Sequence, residues 1–147
     1  MSDIQLVDVY LDGRPRIYAL SILYALLKER LPHQSISHRG MPTWEEHSAF
    51  VRSRPYAHWY LIEASDIAVG ATYLSHQREI GIFVRSEWSG HRFGEHAVRM
   101  LMALHPGKFL ANVNPANGPS AAMFQRLGFS LIQHTYAYEP SHEPPPP

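Results

Sequence analysis

The sequence predicts one α/β (α+β) domain, a mixed and mostly antiparallel central sheet with helices on both faces. Three observations carry that reading. The chain has 147 residues, 45% hydrophobic and 18% charged, which is the size and composition of a single globular unit. Helical and strand periodicities alternate along it, so each helix has a sheet to pack on. The stretch from His58 to Val84 changes to short β-rich runs joined by turns, the pattern of an antiparallel meander. A chain of this length buries roughly 68–70% of the surface of its unfolded form and needs no disulfide or metal staple; with a cysteine count of 0, no disulfide is available. Lys+Arg number 13 and Asp+Glu 13, a balance that argues against nucleic acid as a partner. The most apolar stretch, Ile17 to Leu27, is broken by Tyr18, Ser21 and Tyr24 and falls short of the ~20 residues a bilayer demands. Met-Ser-Asp at the start lacks the features of a secretory signal, so a cytoplasmic location and no membrane partner are expected.

The elements follow in order. Ile4, Leu6, Val7 and Val9 read as a first strand closed by the turn pair Asp12-Gly13. Ile17, Leu20, Tyr24, Leu27 and Leu31 recur at threes and fours, giving an amphipathic helix that ends before Pro32. Thr43-Trp44-Glu45-Glu46 fits a capping box, so a second helix starts at Thr43 and shows Phe50 and Val51 to the core. Trp59 to Ile62, Ile67 to Leu74 and Ile80 to Val84 form the meander, joined at Ser65-Asp66 and Ser75 to Arg78. A loop from Arg85 leads to a helix with Phe93, Ala97, Met100, Leu101 and Leu104 in one stripe. Lys108 to Val113 is a further strand, Ser120 caps a short helix, and Gly128 stands where a left-handed C-cap belongs. Phe129 to Tyr138 reads as the last strand, so residues 1–139 form the domain and 140–147 a disordered, proline-rich tail.

Two segments carry chemistry. Ile80-Gly81-Ile82-Phe83-Val84 runs through a Gly-bearing loop into a helix at Gly94. Unpaired helix N–H groups and the positive end of a helix dipole then face one space, which suits a phosphate; a plain strand-to-helix connection is the alternative. The second segment is Asn114-Pro115-Ala116-Asn117-Gly118-Pro119-Ser120, leading to Phe124 and Leu127-Gly128-Phe129.

In this order and with this strand pattern, the two segments resemble those of the GNAT superfamily of acyl-CoA-dependent N-acyltransferases, over nearly the whole chain from Ile4 to Tyr138. The family's phosphate loop, Gln/Arg-x-x-Gly-x-Gly/Ala, falls on Ser89-Gly90-His91-Arg92-Phe93-Gly94. Gly94 matches, whereas Ser89 and Arg92 depart from the pattern. Asn117, Ser120 and Leu127-Gly128-Phe129 look like the family's Asn-x-x-Ser and helix-to-last-strand signature. A weaker likeness runs to amino-sugar acetyltransferases and to enzymes that acetylate protein N-termini.

The resemblance implies that the fourth and fifth strands, Ile80–Val84 and Lys108–Val113, are splayed, with acetyl-CoA as acetyl donor between them. Amides along Ile82, Phe83 and Val84 would bond pantetheine. Those of Gly90, His91, Arg92, Phe93 and Gly94 would hold the pyrophosphate, and Asn117, Ser120 and Phe124 would face the cofactor. An amine attacking directly in a ternary complex must first lose a proton, and Glu79 stands where relatives often carry a glutamate base, with His76 as a second candidate. Phe124 stands where the family usually has a tyrosine acid, so Tyr136 or Tyr73 serves instead, or the thiolate leaves unassisted. A carboxylate at Gly94 is expected to abolish cofactor binding without unfolding the chain.

The expected acceptor is a small-molecule primary amine. His33, His38, Arg39, Trp44, Tyr56, Trp59 and Tyr136 give its side of the site aromatic and basic groups, which suits a nucleotide-linked amino sugar. No metal is expected, because the 10 histidines show no ligand spacing. A non-catalytic acyl-CoA-binding or regulatory module and a protein N-terminal acetyltransferase stand as alternatives. A homodimer is compatible with the sequence, which shows no interface for it.

Overall fold

A computed structural model describes residues 3–34 and 40–140. The expected tail from residue 141, together with the side chains of His33, His38 and Arg39, lies outside the described residues. The elements are β1 (Ile4–Asp8), β2 (Tyr10–Leu11), β3 (Arg14–Pro15), α1 (Ile17–Gln34), α2 (Trp44–Arg52), β4 (His58–Ala64), β5 (Ile67–Leu74), β6 (Glu79–Val84), α3 (Phe93–Leu104), β7 (Leu110–Ala111) and α4 (Gly118–Arg126). The main sheet has the order β1-β4-β5-β6-β7. Its pairs are antiparallel except β6 and β7, which run parallel.

Local chemistry explains most boundaries. Asp12 and Gly13 both have positive φ, 53° and 80°, the backbone of a tight hairpin turn, and they fold β2 onto β3. The Thr43 hydroxyl accepts from Glu46 N at 3.1 Å while Thr43 N donates to Glu46 Oε1 at 2.9 Å, so the expected capping box starts α2. At the end of α4, Phe129 N donates to Phe124 O at 2.9 Å and Gly128 N to Gln125 O at 3.0 Å. With Gly128 at φ 96° and the Phe124 and Phe129 rings edge to face at 5.1 Å, this is a Schellman cap with its hydrophobic contact.

Alternation of strand side chains sends Val9, Trp59, Leu61 and Ala71 to one face, where α1 and α2 cover them. Ile62, Val69, Leu74 and Ile80 meet α3 and α4 on the other. Helices therefore lie on both faces, as expected.

Three expectations need correction. The buried stripe of α1 is Ala19, Leu20, Leu23 and Leu26, and Ile17 is 85% exposed; the apolar residues permitted two helical faces, and the sheet selected one. The helix also passes Pro32, whose missing donor removes a single bond in the last turn. Finally, Phe129 to Tyr138 forms no strand. Residues 131–140 are exposed, and among the described residues no backbone hydrogen bond joins them to another element.

Candidate functional site

The site begins where two strands part. β6 and β7 are in register only at Glu79↔Leu110 and Ile80↔Ala111, so the remainder of β6 has an open edge. Ser75 N donates to Glu79 O at 2.8 Å and Arg85 N to Val69 O at 2.8 Å, whereas Leu110 N donates to Arg78 O at 2.9 Å. Strand alternation then directs the backbone groups of odd-numbered β6 residues to β5 and of even-numbered ones to the opening. The amides of Ile82 and Val84 face that opening, while that of Phe83 is turned to β5.

The loop above it is preorganised by its backbone. Gly90 has φ 83° and Arg92, the N-cap of α3, has φ 60° and ψ 23°. Arg92 thus keeps the left-handed conformation that glycine adopts without strain, at a cost of roughly 1–2 kcal/mol. No side chain caps α3, and the helix's first backbone bond is His96 N to Arg92 O at 3.1 Å. That pattern leaves the N–H groups of Phe93, Gly94 and Glu95 without helical partners, at the positive end of the dipole. The Phe93 ring is buried and stacks under the exposed His91 at 5.3 Å, so its side chain is core and only its amide serves the opening.

Gly94 lets the helix sit close on the sheet. A Cβ there would lie 3.3 Å from Val84 Cγ2, 3.6 Å from Ile82 Cγ1 and 3.7 Å from Met123 Sδ. Any side chain at this position therefore needs the Val84 methyl to yield by a few tenths of an ångström. Beside it, Glu95 is 8% exposed and is surrounded by Arg126 at 2.9 Å, Arg99 at 3.6 Å and Arg92 at 3.9 Å. The hydrogen bond from Arg126 is the main reason its carboxyl stays below the ordinary carboxylate value. Three guanidinium groups around one carboxylate leave the loop side of the opening net positive.

Glu79 sits at the closed end of the opening, half-buried. Its Oε2 accepts from Asn112 Nδ2 on the β7 side, and Ser75 Oγ accepts from its N at 2.9 Å. Asn112 was not singled out in the sequence; its signal is its place just after β7 strand residue Ala111, opposite the start of β6. Glu79, Gly81 and Phe83 share the sheet face under α1 and α2. There a cavity of about 120 Å³ is lined by Phe50, Tyr56, Trp59, Tyr73 and Gly81, with Arg30 and His47 among its polar residues. The Tyr73 ring lies over Gly81, since a Cβ at Gly81 would come within 2.1 Å of it. Tyr56 stacks on Tyr73 with centroids 3.7 Å apart and planes 3° apart. Burial, and then the neighbouring Tyr73 hydroxyl, push the Tyr56 phenol up to about 12.

The other expected site residues divide. Asn117 caps α4, its Oδ1 accepting from Ser120 N at 3.2 Å, so its carboxamide oxygen is engaged structurally. Phe124 is 5% exposed within the cluster of Leu74, Ile80, Val98 and Leu101, a core residue rather than a surface for a cofactor. Tyr136 is 90% exposed, with His134 at 6.3 Å as its aromatic neighbour; the chain does not bring it to Glu79. His76 is exposed in the β5–β6 turn, and Trp44 belongs to an aromatic group with Tyr24 and His47. Among the described residues, no group of three or more His, Cys, Asp or Glu could hold a metal, and no helix is long and apolar enough to cross a membrane.

The pattern of the acetyltransferase (GNAT) family matches residues 20–129, three quarters of the chain and all of this opening. The chain belongs to that family. A domain from Methanocaldococcus jannaschii superposes with a TM-score of 0.74 at 22% identity, covering 92% of this chain and 93% of that one. RimL, a ribosomal alpha-N-protein acetyltransferase in complex with coenzyme A, gives 0.69 at 18% identity over 88% and 81%. The microcin self-immunity acetyltransferase MccE, in complex with acetyl-CoA and AMP, gives 0.69 at 16% over 89% and 81%. No curated protein sequence matches the chain. For this GNAT chain the structural likenesses establish the fold, a mostly antiparallel five-stranded sheet flanked by helices.

Proposed function

We propose that the protein transfers an acetyl group from acetyl-CoA to a primary amine by direct attack within a ternary complex. The observation that carries this reading is the open β6 edge, where the Ile82 and Val84 amides lead to the uncapped start of α3. Those two amides would hold pantetheine, and the amides from Gly90 to Gly94, kept in place by the left-handed Arg92, would hold the pyrophosphate. The guanidinium groups of Arg92, Arg99 and Arg126 add positive charge for it. When bound, the thioester supplies the activated acetyl group. Glu79 takes the proton from the incoming ammonium group, held in orientation by Asn112. The Tyr73 phenol, the expected alternative to Tyr136, lies on the same sheet face as Glu79, opposite Gly81, and is the acid that protonates the departing thiolate as the thioester C–S bond breaks.

The acceptor's body enters the cavity over Gly81, about 7 Å along β6 from Glu79 at two residues of strand rise. A cavity of about 120 Å³ is close to the ~150 Å³ that holds one benzene ring, so one ring fits and a nucleotide must stay outside. A nucleotide-linked amino sugar meets this with its sugar ring against the tyrosines and its phosphates toward Arg30. The apolar lining favours a second class, an arylalkylamine, whose ring leaves no hydroxyl without a partner.

Thiol release from acetyl-CoA, followed with both amine classes, tests the assignment. Release that depends on the amine supports it, and the faster class identifies the acceptor. Tight acetyl-CoA binding with no release toward any amine would instead support a non-catalytic acyl-CoA-binding module.

A further inference from the structure

The closed end of the opening rests on a short ladder. β6 and β7 pair only at Glu79↔Leu110 and Ile80↔Ala111, and β7 is the edge strand of the sheet, so strand pairing alone specifies its register weakly. Arg78 supplies what the ladder lacks. It precedes Glu79 in the β5–β6 turn with φ 65°, and its carbonyl accepts from Leu110 N at 2.9 Å. Its guanidinium grips the connection between α3 and β7: Nε donates to Lys108 O at 2.7 Å and Nη2 to His105 O at 2.5 Å, while Cζ stands 4.7 Å from the centre of the Phe109 ring. Gly107 makes the approach possible, because at its φ of 150° a Cβ would lie 2.8 Å from Arg78 Nη2. A single residue thus holds the whole run from His105 to Leu110, with its side chain at one end and its carbonyl at the other.

The same connection is anchored to the sheet at its start. The His105 ring stacks on His58 of β4 at 3.7 Å, and its Nε2 lies 2.6 Å from the Tyr60 hydroxyl, so what Arg78 grips is fixed to β4 as well as to β6. Two residues beyond Leu110 the chain reaches Asn112, whose Nδ2 donates to Glu79. A slip of β7 by one position turns the Asn112 side chain to the other face of the sheet. We infer that Arg78 sets the register in which β7 meets β6, and through it positions Asn112 and Glu79 for acetyl transfer. The planar guanidinium suits the task, because it presents two donors at a fixed separation to two carbonyls, which the single ammonium group of a lysine does not. The inference rests on the reading of Glu79 as base and of the β6 edge as the acetyl-CoA site. The start of α3, where the pyrophosphate is proposed to bind, lies past the opposite end of β6 and makes no contact with Arg78, so Arg78 acts on the reacting end of the site and not on cofactor affinity.

Arg78→Lys and Arg78→Ala test this directly, and Gly107→Ala tests it from the other side by crowding the guanidinium. Each variant of the full chain is measured for amine-dependent thiol release, for acetyl-CoA affinity by calorimetry and for hydrogen exchange of the Leu110 amide, with circular dichroism as the check on folding. In both Arg78 variants kcat is expected to fall about 10–100-fold while the Kd for acetyl-CoA stays within about 3-fold of the parent. Leu110 exchange is expected to quicken about tenfold or more, and Gly107→Ala to move every quantity the same way by less. A mere loss of stability would lower kcat and the calorimetric stoichiometry together, so a fall in kcat that only follows the stoichiometry overturns the inference. Arg78→Lys with parental kcat and parental Leu110 exchange overturns it too. If the parent itself binds no acetyl-CoA or releases no thiol, the acetyl-transfer reading fails, and exchange still decides the role of Arg78: faster exchange at Leu110 in the variants supports its hold on the β6–β7 register, and parental exchange refutes it.

Discussion

Arg92 occupies a conformation that costs an L-residue energy, yet the loop depends on it. At φ 60° the chain turns so that the amides that follow point into the opening, and a glycine would make the same turn without strain. Arg92→Gly is therefore expected to be at least as stable as the parent in urea unfolding, and Arg92→Val to lose about 1–2 kcal/mol, because a β-branched side chain is worse still at positive φ. If backbone donors carry the pyrophosphate, Arg92→Gly also keeps its acetyl-CoA Kd within about 3-fold, as calorimetry would measure. Glu79 is the other residue on which the reading turns. Glu79→Gln keeps the Asn112 contact available but removes proton acceptance, so kcat should fall by about 10²–10⁴ while the KM for acetyl-CoA holds. A pH–rate profile that loses its acid limb in this variant checks that the loss is one of base catalysis.

The contact between α1 and α2 is polar at its centre. His47 is 4% exposed and its Nε2 lies 3.0 Å from Leu20 O, so the neutral ring donates to that carbonyl. Burial pulls the imidazole below its ordinary 6.5, partly opposed by this bond. The unfolded chain consequently binds the proton more readily than the native one. The stability His47 contributes is present above pH 6.5 and is lost as pH falls through the lower native value. Urea midpoints should drop between pH 7.5 and 5.5, and His47→Gln should flatten that dependence. How far such elements were legible depended on where their causes lie. Thr43 with Glu46, and Phe124 with Gly128 and Phe129, settle their helix ends through residues a few positions apart, so sequence alone located them. The face of α1 was not legible, because the sheet that selects it comes from far along the chain, and neither was the fate of Phe129 to Tyr138, because β-pairing needs a neighbouring edge that the segment's own residues do not encode. At the site, Ile82, Val84 and Glu79 came from the family resemblance, whereas the turning of Phe83 to β5, Asn112, the burial of Phe124 and the ring of Tyr73 over Gly81 needed the packed sheet.

Across the whole molecule, the two sides of the site are tied by one carboxylate. α1 covers the cavity with Leu26, Leu27 and Arg30. From the same helix Glu29 Oε1 accepts from Ser86 N at 2.6 Å and Ser86 Oγ at 2.9 Å, and Arg85 Nε stands 3.5 Å from its Oε2. Ser86 opens the turn that leads to Arg92 and the start of α3. The helix that covers the cavity and the loop that leads into α3 are thus pinned to one another. The Ser86 backbone N–H is the largest influence holding the Glu29 carboxyl below its ordinary 4.5. The pin is therefore intact above that value and is released as pH falls through the lower native one. Glu29→Ala removes the acceptor altogether and should cost about 1 kcal/mol of stability. If the pin positions the loop, the KM for acetyl-CoA should also rise about 3–10-fold, and the KM for the amine should rise with it although Glu29 touches neither substrate. Steady-state kinetics with both substrates varied would read the two effects separately: a rise confined to the amine would place Glu29 with the cavity alone, and a joint rise would establish α1 as the element that couples the halves of the site.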